Sequence, residues 1–193
     1  MPAKYDPAQH ARRSIRLQGF DYAQTGTYFV TVCTQNRECL FGEVVNGVMM
    51  LNDAGEMVRS VWDELSRHYP GINVDGFVVM PNHIHGIVVL NTVGAGPRAC
   101  PDDGRACHDD GQPQGVAPTM SLPDVVHRFK SLTTTRYRHG IDRQGWRPFP
   151  GRLWQRNYYE HIIRDEAELN RIRRYIIDNP VQWETDRENP ICR

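Results

Sequence analysis

The chain has 193 residues, of which 24% are charged and 39% hydrophobic, and it carries 23 basic and 23 acidic side chains. This length suits a single domain, residues 1–193, that folds without disulfides or a structural metal. The sequence has no apolar run long enough to span a bilayer, no signal-peptide core and no disulfide framework among its five cysteines. We therefore expect a cytoplasmic protein with reduced thiols and no membrane partner.

Hydrophobic periodicity and turn residues predict the elements of the first half. Residues 1–20 are polar and basic and predict a loose arm. After the arm we expect a strand at 27–34, a hairpin of 40–45 and 48–51 around Asn46-Gly47, a helix from Asn52 or Asp53 to about 68, and strands at 74–80 and 83–90.

The second half begins with a segment that lacks periodicity. Residues 91–119 are rich in Gly, Pro, Asp and Ala and predict a flexible insertion. After it we expect a helix from Ser121 through Tyr137, a fourth core strand at 153–158, and a last helix from about Asp165 to Asn179 with Leu169, Ile172 and Ile176 as its buried stripe. The order of elements predicts an α+β domain, with helices packed on an antiparallel sheet of about four to five core strands and a small added hairpin.

The charge is unevenly distributed along the chain. Residues 125–175 contain twelve Lys/Arg and five Asp/Glu, a net charge of +7, so the remainder carries −7. Part of that negative charge lies in the predicted insertion, at Asp102, Asp103, Asp109 and Asp110. A basic half of this kind is compatible with phosphate binding, although a solvated basic surface with no ligand would show the same distribution of charge.

Two histidines stand at the start of a predicted strand. His83 and His85 are two residues apart, so both imidazoles point to one face of the sheet while Ile84 points to the other. Two neighbouring neutral imidazoles can form half of a divalent-metal site. The pair directly follows an apolar strand and a Pro81-Asn82 turn. Polar histidines next to such a strand call for an explanation, and a role as metal ligands would provide one.

Tyr175 and Asn179 share one face of the last helix, because they are four residues apart. The amide oxygen of Asn179 can serve as a third ligand to a hard cation. The structural alternative is that Tyr175 is a boundary aromatic and Asn179 a helix end before Pro180.

Basic and aromatic side chains alternate between residues 128 and 156. Single-stranded nucleic acid is held by cations along its backbone and by aromatic rings under its bases. For Phe129 and Trp154 we favour a core role with arginines around them. We expect the cations to bind phosphate, and they are Arg128, Lys130, Arg136, Arg138, Arg152 and Arg156.

Two segments together resemble a known family. Val79-Met-Pro-Asn-His-Ile-His85 resembles the HUH signature of the single-tyrosine transposases. Residues 158–165 (YYEHIIRD) and 174–180 (RYIIDNP) are similar to the carboxyl half of their chromosomal relatives, the REP-associated tyrosine transposases. The resemblance covers about residues 14–185 and leaves 91–119 outside it. Many mobile members carry Gln at the position of Asn179, so the chain is closer to the chromosomal branch.

The resemblance implies a ferredoxin-like HUH sheet and a set of roles. His83, His85 and Asn179 would hold Mg²⁺ or Mn²⁺, and Tyr175 would be the nucleophile. The implied reaction cleaves and rejoins hairpin-bearing single-stranded DNA through a 5′-phosphotyrosine intermediate, in a bacterial, nucleoid-associated protein. The resemblance leaves open whether the chain forms a homodimer and whether its site is built in cis or in trans.

Two alternatives belong to other functional classes. The protein could bind nucleic-acid hairpins as a regulator without transposing them, or it could be a metal-dependent nuclease that uses water in place of Tyr175. A covalent protein–DNA adduct separates the transposase from both.

Other reactive residues carry weaker signals. Cys100, Cys107 and His108 lie in the predicted insertion without the spacing of a zinc site, and we interpret them as incidental. Tyr158 and Tyr159 could compete with the nucleophile, but on a strand only one of them can face the cavity. We assign His161 no firm role.

Overall fold

The computed structural model describes residues 24–91 and 120–190. The elements in these ranges are, in chain order, β1 (Gly26–Cys33), a 3-10 turn (Gln35–Arg37), β2 (Gly42–Val45), β3 (Val48–Leu51), α1 (Asp53–His68), β4 (Ile72–Val79), β5 (His83–Leu90), α2 (Leu122–Gln144), β6 (Tyr159–Ile163), α3 (Glu166–Asp178) and a second 3-10 turn (Trp183–Thr185). The predicted arm and, apart from residue 91, the predicted insertion lie outside the described residues. None of the helices described is long and apolar enough to cross a membrane.

Four strands form one antiparallel sheet in the order β4-β5-β1-β6, and β2 and β3 form a separate two-stranded sheet. β1 pairs with β5 along its whole length, from Gly26 opposite Leu90 to Cys33 opposite His83. Its other edge pairs with β6. The predicted α+β fold is therefore confirmed, with four strands in the core sheet.

The small hairpin turns at the predicted dipeptide. Asn46 and Gly47 have φ angles of 52° and 76°, as a two-residue type I′ turn requires at both central positions. The helix that follows is capped by Asn52, whose side chain accepts a hydrogen bond from the Gly55 N–H at 2.9 Å. The predicted hairpin and helix start are thus confirmed.

The predicted fourth core strand at 153–158 is wrong. That segment makes an isolated bridge at Trp154, and β6 begins after it, at Tyr159. The indole N–H of Trp154 donates to Thr133 Oγ1 of α2 at 2.8 Å, so side-chain contacts with the helix hold this segment in place.

The sheet buries side chains on both of its faces. One face packs on α1 and α2 through a large cluster that includes Val30, Ile84 and Trp62. The other face packs on α3 through a smaller cluster that includes Phe29 and Ile176. Because neighbouring residues of a strand point to opposite faces, this arrangement of helices on both faces of the sheet decides which side chains of β1 and β5 can meet α3.

The last helix packs as its periodicity predicts. Of its stripe, Ile176 is buried in the smaller cluster, and Leu169 and Ile172 are partly buried and pack against that cluster. Asp165 caps the helix by accepting from the Glu168 N–H at 2.7 Å. The stripe fixes which side of α3 faces the sheet, and thereby the direction of the polar residues beside it.

Candidate active site

The two histidines of β5 lie side by side on the α3 face of the sheet. Both are buried, and their Nε2 atoms are 3.1 Å apart. Ile84, between them, packs in the opposite layer with α1 and α2. The outer nitrogens are held as well, since His83 Nδ1 lies 2.8 Å from Asn82 Oδ1 and His85 Nδ1 lies 2.8 Å from Thr31 Oγ1.

The surroundings of both imidazoles favour their neutral forms. Burial lowers the pKa of His83 to about 3, and the positive charge of Arg37 acts in the same direction, while an interaction with Asn179 opposes it. Burial also holds the pKa of His85 well below its usual value, followed by the proximity of His83, and the carboxylate of Asp186 opposes this. A neutral imidazole keeps the lone pair that a metal ligand needs.

Tyr175 and Asn179 extend from α3 toward the histidines. The Tyr175 hydroxyl is 3.2 Å from His85 Nε2, and its ring contacts Phe29 edge to face. Asn179 is buried and its Nδ2 lies 3.4 Å from a carboxylate oxygen of Asp186. Its Oδ1 is also buried and has no hydrogen-bond partner among the described residues. The structure thus brings the four residues named from the sequence into one place.

Asp186 joins this group, and the sequence did not indicate it. One ligand atom from each of His83, His85 and Asp186 can be chosen so that all three lie within 4.8 Å of one another. Asp186 follows the second 3-10 turn, in a segment without periodicity, so no sequence pattern marks it. This carboxylate and the two imidazoles lie close enough together to hold a metal ion.

A cleft of about 400 Å³ opens beside these residues. Tyr175, Tyr159 and Arg187 line it together with Asp186. Burial raises the pKa of the Tyr175 phenol above its ordinary value of 10, and the carboxylate of Asp186 raises it further, while Arg187 lowers it. Ionising this phenol is therefore harder than ionising a phenol in water, and a nearby positive charge would favour it.

The two other candidate tyrosines, Tyr158 just before β6 and Tyr159 at its start, face different ways. Tyr159 lines the cleft and its ring contacts Phe29. Tyr158 packs against the large core cluster, under the ammonium group of Lys130. Tyr159 is therefore a second phenol on the wall of the cleft.

The predicted phosphate-binding cations divide into two groups. Arg136 makes a two-pronged contact with Glu64 of α1, at 2.8 and 2.6 Å. Lys130 donates to the carbonyls of residues 155, 156 and 157, and burial lowers its pKa to about 8. The other four, Arg128, Arg138, Arg152 and Arg156, are exposed. Buried residues of α2 belong to the layer opposite the histidines, so the α2 cations lie on the other side of the sheet from the cleft.

His161 takes part in a local pair outside the histidine cluster. Its Nε2 lies 2.8 Å from the carboxylate of Glu168 on α3. The same carboxylate accepts from the Arg164 N–H at 2.9 Å. The pair therefore ties β6 to the beginning of α3.

Comparison with known proteins places the chain in a family. No protein-family model matches it. An uncharacterized protein of Haemophilus influenzae is 40% identical over 186 residues, which cover 96% of this chain and 97% of the relative. The chain belongs to the same family as this protein. A second Haemophilus influenzae protein, provisionally named a REP-associated tyrosine transposase, is 27% identical over 167 residues, covering 84% of this chain and 74% of that protein.

A solved structure gives the corresponding likeness in fold. It is the REP-associated tyrosine transposase bound to a REP hairpin, which aligns with a TM-score of 0.52 at 21% identity and covers 87% of this chain and 74% of that chain. The chain has the fold of a REP-associated tyrosine transposase. The resemblance drawn from the two sequence segments is thereby confirmed.

Proposed function

We propose that this protein cleaves and rejoins single-stranded DNA that bears a hairpin, with Tyr175 as the nucleophile. The observation that carries the proposal is the position of the Tyr175 hydroxyl, 3.2 Å from His85 Nε2 and on the wall of an open cleft. A phenol beside a cluster of potential metal ligands is what nucleophilic attack on a phosphate ester needs. The likeness to REP-associated tyrosine transposases in sequence and fold supports the same class of reaction.

The residues present fit a divalent cation. Two ligands about 2.1 Å from one cation and at right angles lie about 3.0 Å apart, and the two Nε2 atoms are 3.1 Å apart. The buried, unpartnered Oδ1 of Asn179 and the carboxylate of Asp186 would add oxygen ligands. This mixed nitrogen and oxygen set suits Mn²⁺ better than Mg²⁺, which prefers oxygen ligands and bound water.

The chain's own residues would prepare the phenol for attack. Phe29 holds the Tyr175 ring edge to face, and Ile176, the next residue of α3, anchors the helix in the sheet. The phenol oxygen bonds to phosphorus, the bond from phosphorus to the 3′ oxygen breaks, and the phenol proton is lost while the 3′ oxygen gains one. A bound Mg²⁺ or Mn²⁺ would supply a Lewis acid that draws charge from the scissile phosphate.

The covalent product accounts for rejoining. The 5′-phosphotyrosine bond conserves the energy of the phosphodiester, so a second 3′-hydroxyl can reverse the step and join a new strand. Arg187, which lines the cleft, would offer its guanidinium to the DNA backbone. The REP hairpin bound by the structural relative supports a hairpin substrate in this proposal.

The proposal is tested by an adduct assay with matched variants. The protein, Tyr175→Phe and Tyr159→Phe are incubated with Mn²⁺ and labelled single-stranded DNAs that carry a hairpin and unpaired flanks. We expect a denaturant-stable labelled band from the parent and from Tyr159→Phe, lost in Tyr175→Phe and in EDTA. Tyr159 is the matched control because it lines the same cleft without contacting His85.

Other outcomes select the alternatives. Cleavage without an adduct, unchanged in Tyr175→Phe, would establish a nuclease that uses water. Hairpin binding with neither cleavage nor adduct, across several hairpins, would establish a regulator. An adduct that forms in Tyr175→Phe but not in Tyr159→Phe would move the nucleophile to β6.

A further inference from the structure

Asn82 is a buried polar residue that the proposed reaction does not use. It lies in the turn between β4 and β5 and is fully buried. Its side chain contacts three parts of the chain, namely His83, the 3-10 turn that follows β1, and the segment after α3. Both polar atoms of this buried amide have hydrogen-bond partners. The orientation of the amide is therefore closely defined, because losing any of these hydrogen bonds costs free energy.

The partners of Asn82 determine which way its amide points. Nδ2 lies 3.2 Å from the carbonyl oxygen of Arg37 and 2.8 Å from that of Glu188. Carbonyl oxygens can only accept, so the NH₂ group must face them and Oδ1 must face His83. The orientation of the amide is therefore fixed by two backbone groups that cannot exchange roles.

This orientation in turn fixes the proton on His83. Oδ1 of Asn82 can only accept, so the Nδ1 of His83, 2.8 Å away, must carry the hydrogen. In a neutral imidazole the other nitrogen then holds the lone pair. That nitrogen is Nε2, which faces His85 and the proposed metal site.

The second histidine has no such constraint. The partner of His85 Nδ1 is the hydroxyl of Thr31, which can either donate or accept. If His83 carried its proton on Nε2, that hydrogen would point at His85 Nε2, 3.1 Å away, and would occupy the space between the two nitrogens. Asn82 is therefore the residue that fixes the Nε2 lone pair of His83 beside this space.

We propose that Asn82 is a positioning residue that sets the tautomer of His83 and keeps its Nε2 lone pair directed into the site. Its effect on metal binding rests on the proposed function, whereas its effect on the tautomer does not. Partners of metal-binding histidines commonly act in this way, and their loss typically lowers metal affinity by about 10- to 100-fold.

Two substitutions separate this role from a merely structural one. Asn82→Asp keeps an acceptor for His83 Nδ1 but loses the N–H groups that bind the carbonyls of Arg37 and Glu188. Asn82→Leu has similar size and loses both functions. Gln155→Leu is the matched control, since the Gln155 amide also donates to a carbonyl at this end of the sheet, that of Thr34 at 3.1 Å.

The first measurement reads the tautomer in metal-free protein. Two-bond ¹H–¹⁵N spectra of protein labelled in histidine distinguish the two neutral forms, and the His83 signal is assigned as the one missing from His83→Gln. We expect the Nδ1-protonated form in the parent, in Asn82→Asp and in Gln155→Leu, and an Nε2-protonated population in Asn82→Leu. An Nε2-protonated His83 in the parent would overturn the proposal even if Asn82→Leu does not fold.

The second measurement titrates Mn²⁺ and counts the free ion by electron paramagnetic resonance. We expect the Kd to rise about 10- to 100-fold in Asn82→Leu and to stay near the parent value in Gln155→Leu. In Asn82→Asp it should rise clearly less than in Asn82→Leu, because the acceptor for His83 is kept and only the bonds to the carbonyls of Arg37 and Glu188 are lost. Equal losses in Asn82→Asp and Asn82→Leu would show a structural role and refute positioning. A parent that binds no Mn²⁺ would refute the proposed metal site while leaving the tautomer result intact.

Discussion

Gly86 follows His85 on β5, and the ring of Trp62 from α1 packs against its backbone. A Cβ atom at this position would lie 2.4 Å from Cζ2 and 2.6 Å from Cη2 of Trp62, and 3.1 Å from the ring of Phe77. Ordinary carbon contacts are about 3.5 to 4.0 Å, so the indole would have to move by roughly 1 Å. Trp62 is buried and stacks on Phe77 with centroids 4.5 Å apart, which leaves it little room to move.

We therefore expect Gly86→Ala to destabilise the protein. Extra carbon in a packed core typically costs about 1 to 3 kcal/mol. With a urea dependence of about 2 kcal/mol per molar, the midpoint of urea unfolding should fall by about 0.5 to 1.5 M. The assay is urea unfolding followed by circular dichroism, with Gly76→Ala as the matched control. A Cβ on Gly76 of β4 would meet its nearest atom at 3.4 Å, an ordinary contact, so its midpoint should change little.

A second-site change tests the cause. Trp62→Phe removes the ring atoms that meet the new methyl group. It also costs no hydrogen bond, because Trp62 Nε1 is buried without a partner among the described residues. The double variant Gly86→Ala/Trp62→Phe should lose about 1 kcal/mol less stability than the sum of the two single changes. An additive double variant, or an unchanged midpoint in Gly86→Ala, would refute the reasoning.

Three further predictions concern charge and chemistry. Arg173 lowers the pKa of Asp75, so this pair stabilises the fold above the ordinary Asp pKa of 3.8 and loses its effect as pH falls through the lower folded value. Asp75→Asn should cost about 0.5 kcal/mol at neutral pH, with the difference vanishing in acid when thermal unfolding is compared across pH. Asp186→Asn should raise the Kd for Mn²⁺ roughly tenfold by electron paramagnetic resonance, and an unchanged Kd would remove Asp186 from the site. Burial and the nearby Glu188 carboxylate raise the pKa of Cys33 to about 12, so iodoacetamide at mildly alkaline pH should alkylate the exposed Cys39 before it alkylates Cys33 in peptide mapping. The reverse order of these two residues would contradict the burial of Cys33.

Local patterns predicted the elements whose side chains repeat regularly. The stripe of α3 and the pairing of His83 with His85 on one face both follow from fixed periods of 3.6 and 2 residues. The dipeptide Asn46-Gly47 identified the hairpin because few residues adopt positive φ at both positions. These features could be predicted because each is specified within a few residues of sequence.

Features that depend on distant contacts could not be predicted. Arg136 is basic in a basic segment, yet its guanidinium meets Glu64, 72 residues earlier in the chain. Residues 153–158 have strand-like composition, but Trp154 donates a hydrogen bond to α2. Asp186 reaches the histidines because Asn82 and the side chain of Arg37 bind the segment that follows it, at residues 187 and 188. In each case the partner that decides the outcome is remote in sequence.

The burial of two residues on α3 indicates how one helix face can serve two purposes. Tyr175 is 40% exposed, whereas Asn179, one turn later, is 1% exposed. The phenol therefore stays open to the cleft, while the amide is enclosed by the protein, where its Nδ2 lies 3.4 Å from Asp186. A nucleophile must meet a large substrate, and a ligand amide gains most where water cannot compete. The same i, i+4 spacing that the sequence shows thus places the two groups at the depths that their proposed roles require.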